Sequence, residues 1–183
     1  MEDILELYKR EYDPRFPVIC MDESSTHLVE EELEALKMKR GKVQRFDYQY
    51  SPKANLNLFL AFEPMTGRRY VSIKKNRTKV DWADFMQGII ATYSEASKII
   101  LVMDNLNTHK LDSFYEAFKP REARRLIEKL EIHYTPKHGS WLNMAEIEFS
   151  ALKRQCLQQR VNDEDTLKKN ITYWQIERNK TVT

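Results

Sequence analysis

Two short apolar runs, each ending on an aspartate, restrict this chain more than any other feature. They are Val18-Ile19-Cys20-Met21-Asp22 and, much later, Ile99-Ile100-Leu101-Val102-Met103-Asp104. Runs of this length without polar alternation suit strands covered on both faces. Set parallel and adjacent, they deliver Asp22 and Asp104 to one carboxyl edge of a sheet, where open α/β sheets place their ligands. Two carboxylates side by side repel unless a positive charge lies between them. A divalent metal meets that need.

The elements around these runs predict an α/β domain. Residues 4–12 read as a helix, and Asp13-Pro14-Arg15-Phe16-Pro17 as a linker-like entry to the first strand. Asp22-Glu23-Ser24-Ser25-Thr26 reads as a turn-rich patch, and 30–39 as a charged helix ended by Gly41. Phe46, Tyr48 and Tyr50, then Leu56, Leu58, Leu60 and Phe62, alternate with polar residues at the two-residue period of half-buried strands. Pro64-Met65-Thr66-Gly67 turns the chain into a third strand, 70–73, which completes an antiparallel meander.

After Thr78 the period changes. Trp82, Phe85, Met86, Ile89, Ile90 and Tyr93 fall at helical spacing and lead into 99–103. Short helices follow around Phe114 and from Pro120, a residue favoured at the first helical position. A last strand covers 131–135. The loop Pro136-Lys137-His138-Gly139-Ser140 comes next, then helices over about 143–158 and 163–178. Such an order fits a mixed five-stranded sheet flanked by helices, an antiparallel meander followed by parallel strands.

With 42% hydrophobic and 32% charged residues in 183, the chain can bury a substantial core and is not a disordered polymer. Its apolar runs are too short to cross a bilayer, and Met1-Glu2-Asp3 does not open a signal peptide. Cys20 and Cys156 sit in apolar patterns, which predicts buried reduced thiols in a cytoplasmic protein. The net charge of +2 says little about partners, but local charge says more. Arg68, Arg69, Lys74, Lys75, Arg77 and Lys79 crowd one region, and Lys137, Lys153, Arg154, Lys168 and Lys169 follow. These residues either line phosphates or form a solvated face.

A third acid comes from the helix after the last strand. Leu142, Ala145, Phe149, Leu152 and Cys156 step by three and four and define its buried stripe. At roughly 100° per residue, Glu146 and Glu148 flank that stripe on opposite borders, and spacing does not choose between them. Asn143 with Glu146 three residues on also reads as a capping box that needs no chemistry. Trp82 and Trp174 read as core, and core packing is the leading expectation for Trp141 as well.

Four stretches resemble the catalytic half of bacterial insertion-sequence transposases of the mariner superfamily, which carry an RNase H-like DDE domain. They are Cys20-Met21-Asp22-Glu23-Ser24, Phe62-Glu63-Pro64-Met65-Thr66-Gly67, Val102-Met103-Asp104-Asn105-Leu106-Asn107-Thr108-His109 and the run from His133 through Tyr134-Thr135-Pro136-Lys137-His138-Gly139-Ser140-Trp141-Leu142-Asn143-Met144-Ala145-Glu146. The likeness extends from about Pro17 to Asn179. It implies an RNase H-like fold for 17–183, with 1–16 a residual helix and linker. It also implies Asp22 and Asp104 as the two aspartates and Glu146, through its Asn-x-x-Glu motif, as the third acid.

Three carboxylates are hard oxygen donors suited to Mg²⁺ or Mn²⁺. Two ions about 3.5–4 Å apart would serve the attacking and leaving oxygens of an in-line displacement, with Asp22 bridging them and Asp104 and Glu146 holding one side each. By the resemblance, water cuts the transposon end and the freed 3′-hydroxyl attacks target DNA at TA, in a homodimer that pairs two DNA ends in the bacterial cytoplasm. Asn105, His109, Lys137, His138 and Trp141 are candidates for supporting the acids or touching DNA.

The chain departs from that family at both ends: no helix-turn-helix reader of the inverted repeats precedes 4–12, and relatives continue beyond Asn179. A separately encoded reader, an engineered fragment or a decayed copy would each account for this. Two competing readings remain. One is an RNase H-like nuclease without strand transfer, and the other an inactive remnant that binds DNA or a partner.

Overall fold

The computed structural model describes residues 1–31, 50–105, 110–158, 161 and 163–180. Helix α1 (Glu2–Lys9) precedes strand β1 (Val18–Glu31), which turns back as β2 (Tyr50–Glu63) and then β3 (Arg68–Lys74). Helix α2 (Lys79–Thr92) leads to β4 (Ile99–Met103), and α3 (Ser113–Ala117) and α4 (Pro120–Glu128) lead to β5 (Leu130–Tyr134). A single 3₁₀ turn, Ser140–Leu142, introduces α5 (Ala145–Gln155), and α6 (Glu164–Lys180) follows. The five strands lie in the order β3-β2-β1-β4-β5, with β1–β3 antiparallel and β1, β4 and β5 parallel. This is the expected mixed sheet of a meander followed by parallel strands.

Alternation along the central strands builds two cores. Val18 and Cys20 of β1, with Ile100 and Val102 of β4, pack under α1, α5 and α6 together with Leu142, Phe149, Leu152 and Trp174. Ile19 and Met21, with Ile99, Leu101 and Met103, pack under α2, α3 and α4 around Trp82, Met86 and Phe114. All five residues of β4 are buried, which is why its sequence carries no polar alternation. Thr78 and Asp81 close a reciprocal capping box at the start of α2. Ile4 and Leu7 of α1 belong to the first of these cores, so the N-terminal helix is packed onto the sheet.

The edge strand β3 is covered in an unusual way. Gln175 Oε1 accepts from the Val71 backbone N–H at 2.7 Å. Asn179 accepts from the Arg69 N–H at 3.1 Å and donates to its carbonyl at 2.9 Å. Two side-chain amides of α6 thus stand where a sixth strand would pair.

Two expectations are corrected. Residues 22–26 are not a turn: β1 runs on to Glu31, paired residue by residue with β2. The polar stretch holds strand form because β2 supplies backbone partners, a long-range condition invisible in its own composition. Likewise Tyr50, expected in a separate earlier strand, belongs to one strand with 56–62. A bulge between Leu28 and Val29 sits opposite Pro52, which has no ladder donor. Glu30 and Glu31 belong to β1, while the rest of the expected 30–39 helix, with Phe46 and Tyr48, lies outside the described residues.

Candidate active site

The parallel pairing of β1 with β4 matches Cys20 to Val102. Asp22 stands two residues beyond the first and Asp104 two beyond the second, so both fall level at the carboxyl edge. Side chains alternate along a strand. Both aspartates therefore continue the face of Cys20 and Val102, the face covered by α5. Asp22 is not at the end of its strand, as the sequence suggested, but at the point where β4 stops and only β2 continues beside it.

Glu146 lies in the first turn of α5 and is half-buried. Its charge reaches Asp22. Burial pushes the Asp22 carboxyl up to about 6, its acceptor bond from the Glu23 N–H pulls it down, and the charges of Asp104, Glu146 and Glu23 push it up again. All three neighbouring charges acting on Asp22 are negative, the electrostatic signature of a site built for a cation.

Glu148, the rival on the other border of the stripe, faces elsewhere. Its buried carboxylate meets Arg69 Nε at 3.0 Å and Arg178 Nη2 at 3.3 Å. Both guanidinium groups also lie over the Trp174 ring, at 5.9 and 6.0 Å. Glu148 therefore ties α5 to β3 and α6. The capping box proposed for Asn143 and Glu146 does not form either. The Asn143 amide accepts from Ala145 N–H at 3.2 Å and donates to the Met21 carbonyl at 2.9 Å.

The donor set suits a hard divalent ion, since Asp22 and Asp104 stand level at one sheet edge and the charges of Asp104 and Glu146 both act on Asp22. Among the described residues no three of His, Cys, Asp and Glu already stand at ligand spacing around one point. Mg²⁺ does not require such a cage, because it keeps several waters and takes substrate phosphate oxygens as ligands.

The loop between β5 and α5 presents Lys137, His138 and Trp141 to solvent. Trp141 is 64% exposed, which overturns the core placement expected for it. His138 takes a left-handed backbone, φ 67°, and a Cβ on the buried Gly139 would lie 2.6 Å from Pro136 Cγ. Asn105, beside Asp104, is exposed, and His109 lies outside the described residues.

The first basic cluster is largely committed to local acids. Arg69 is buried against Glu148, Lys74 pairs with Asp84, Arg77 with Glu23, and Lys79 with Glu116. It is a set of tethers more than a phosphate-binding stripe. Cys20 is buried and Cys156 half-buried, both as free thiols. Among the described residues no helix is long and apolar enough to cross a membrane. Asn143 and Tyr8 were missed by sequence reasoning: the spacing of Asn143 from Glu146 fitted a cap equally well, and Tyr8 carried no signal at all.

Residues 17–168 match the model of a DDE superfamily endonuclease. Among solved structures, the pre-cleavage Mos1 transpososome is similar with TM-score 0.64 at 14% identity, covering 96% of this chain and 52% of that one. The Mos1 strand transfer complex gives 0.60 at 15%, covering 96% and 51%. The mariner Mos1 paired end complex with Mg gives 0.57 at 16%, covering 96% and 52%. The chain thus spans about half the length of these structural relatives. At such identities the likeness speaks for the fold, which is RNase H-like. No curated protein matches the sequence.

Proposed function

The chain belongs to the DDE superfamily of endonucleases, and from that premise we propose that it is the catalytic unit of an insertion-sequence DNA transposase. In this reading it cuts transposon ends and joins the freed 3′-hydroxyl to TA target DNA. The observation that supports the reading is that Asp22 and Asp104 stand level on two parallel strands while the charge of Glu146, in the first turn of α5, reaches Asp22. Residues 17–183 form the catalytic unit, with α1 packed against it. Two copies would pair two ends in the cytoplasm of a bacterial host.

Asp22, Asp104 and Glu146 would hold Mg²⁺ or Mn²⁺, in our reading two ions. When bound, the metal supplies the charge that stabilises attacking and leaving oxygens in an in-line phosphoryl displacement. Asp22 feels the charge of both other acids and must give up its proton to serve as a ligand, which its value of about 6 permits at neutral pH. Lys137 and His138 are placed to meet backbone phosphates, and exposed Trp141 to stack on a base. Asn105 is placed to donate to a carboxylate or to DNA.

The test is plasmid nicking in Mn²⁺, followed by strand transfer with pre-cut ends. Asp22→Asn and Glu146→Gln are expected to lower nicking at least 100-fold. Wild-type nicking by Glu146→Gln would overturn the assignment of the third acid. Cleavage without joining would reduce the protein to a nuclease.

A further inference from the structure

Asn143 is 2% exposed and sits between the two elements that carry Asp22 and Glu146. The Met21 carbonyl can only accept a hydrogen bond and the Ala145 N–H can only donate one, so their chemistry fixes which way the amide faces. Its Nδ2 donates to Met21, the residue before Asp22, at 2.9 Å. Its Oδ1 accepts from Ala145, the residue before Glu146, at 3.2 Å. Its backbone joins the same turn: its N–H donates to the Ser140 carbonyl at 2.7 Å, and its carbonyl accepts from the Glu146 N–H at 3.1 Å. One buried amide therefore spans the gap between the strand and the helix.

Helix α1 reinforces this bridge. The Tyr8 hydroxyl donates to the Leu142 carbonyl at 2.7 Å and lies 3.1 Å from Cys20 Sγ. Cys20, two residues before Asp22, is buried in the same cluster as Leu142 and Ala145. Leu142 and Asn143 are thus held to α1 and β1 shortly ahead of Glu146.

We propose that Asn143 is a positioning residue: its side-chain amide, backed by the Tyr8 hydroxyl, sets the separation of Glu146 from Asp22. The inference rests on the reading of those two acids as catalytic. It goes beyond that reading by assigning their spacing to a neutral side chain that touches neither DNA nor metal. A misplacement of about 1 Å at a reacting centre costs on the order of 100-fold in rate, so one lost bridge is measurable. The same device makes α1 part of the support of the site.

The experiment compares the full chain with Asn143→Asp, which keeps the acceptor but loses the donor to Met21, and with Tyr8→Phe, which removes only the hydroxyl. Nicking kcat and KM for plasmid are measured together with the Mn²⁺ concentration that gives half the thermal shift. Asn143→Asp is expected to lower kcat at least tenfold per folded molecule, with KM for DNA within twofold. Its Mn²⁺ midpoint should rise at least threefold, and Tyr8→Phe should change both quantities in the same direction by about half as much on a logarithmic scale.

Unchanged kcat and Mn²⁺ midpoint in both variants would overturn the positioning role while leaving the site intact, provided Asp22→Asn is inactive. A wild-type chain that neither nicks nor responds to Mn²⁺ would overturn the site and this inference together. Loss of activity that merely tracks the unfolded fraction would also overturn it.

Discussion

Asp22 carries the clearest consequence at the scale of single residues. Its carboxyl titrates at about 6 in the folded chain, against about 3.9 when unfolded. The folded state therefore binds this proton more tightly than the unfolded one. The contribution to stability is complete below about pH 4 and is lost as pH rises through 6, a difference on the order of 2–3 kcal/mol. Asp22→Asn should accordingly melt above wild type at pH 7–8 in EDTA, and the gap should close as pH falls towards 4. Millimolar Mn²⁺ should raise the wild-type Tm and shift the variant less. Thermal melts across that pH range, with and without metal, decide both points. A flat difference between wild type and variant would mean that burial and neighbouring charges do not raise the Asp22 carboxyl.

Among elements, α5 is fixed from two sides, just ahead of its start by Asn143 and nearly one turn into the helix by Glu148. Arg69 and Glu148 are both buried, with side chains 6% and 7% exposed. Removing one member of a buried ion pair leaves the other charge uncompensated and costs about 3–5 kcal/mol. Glu148→Gln should therefore lose stability on that order in urea titration while retaining most nicking per folded molecule.

The contrast between Glu146 and Glu148 also marks where sequence reading stops. Helical spacing identified the buried stripe of α5, but Arg69 and Arg178 are brought to Glu148 only by the packing of β3 and α6. Strand β4 and helices α2 and α6 were legible because periodicity or continuous burial writes their environment into their own residues. The polar half of β1 was not, since its strand form depends on β2. Trp141 was misread because aromatic character announces burial, whereas it lies outside the set of Leu142, Ala145, Phe149 and Leu152 that packs on the sheet.

On the scale of the whole molecule, two helical layers enclose the sheet, and its last strand on the meander side is closed by side chains of α6. Replacing both Gln175 and Asn179 by Ala would leave the Val71 and Arg69 N–H groups unanswered, at about 1–3 kcal/mol for each one kept from water. The double variant should sediment as concentration-dependent oligomers where wild type shows no such dependence on this edge. An exposed strand edge is a template on which further chains can stack. With Gln175 and Asn179 holding backbone groups of Arg69 and Val71, β3 is a poor template for a continuous ribbon of copies. If two copies pair DNA ends as proposed, helices, loops or the β5 margin of the sheet are better placed than β3 to join them, and such an assembly can stop at a defined number of subunits.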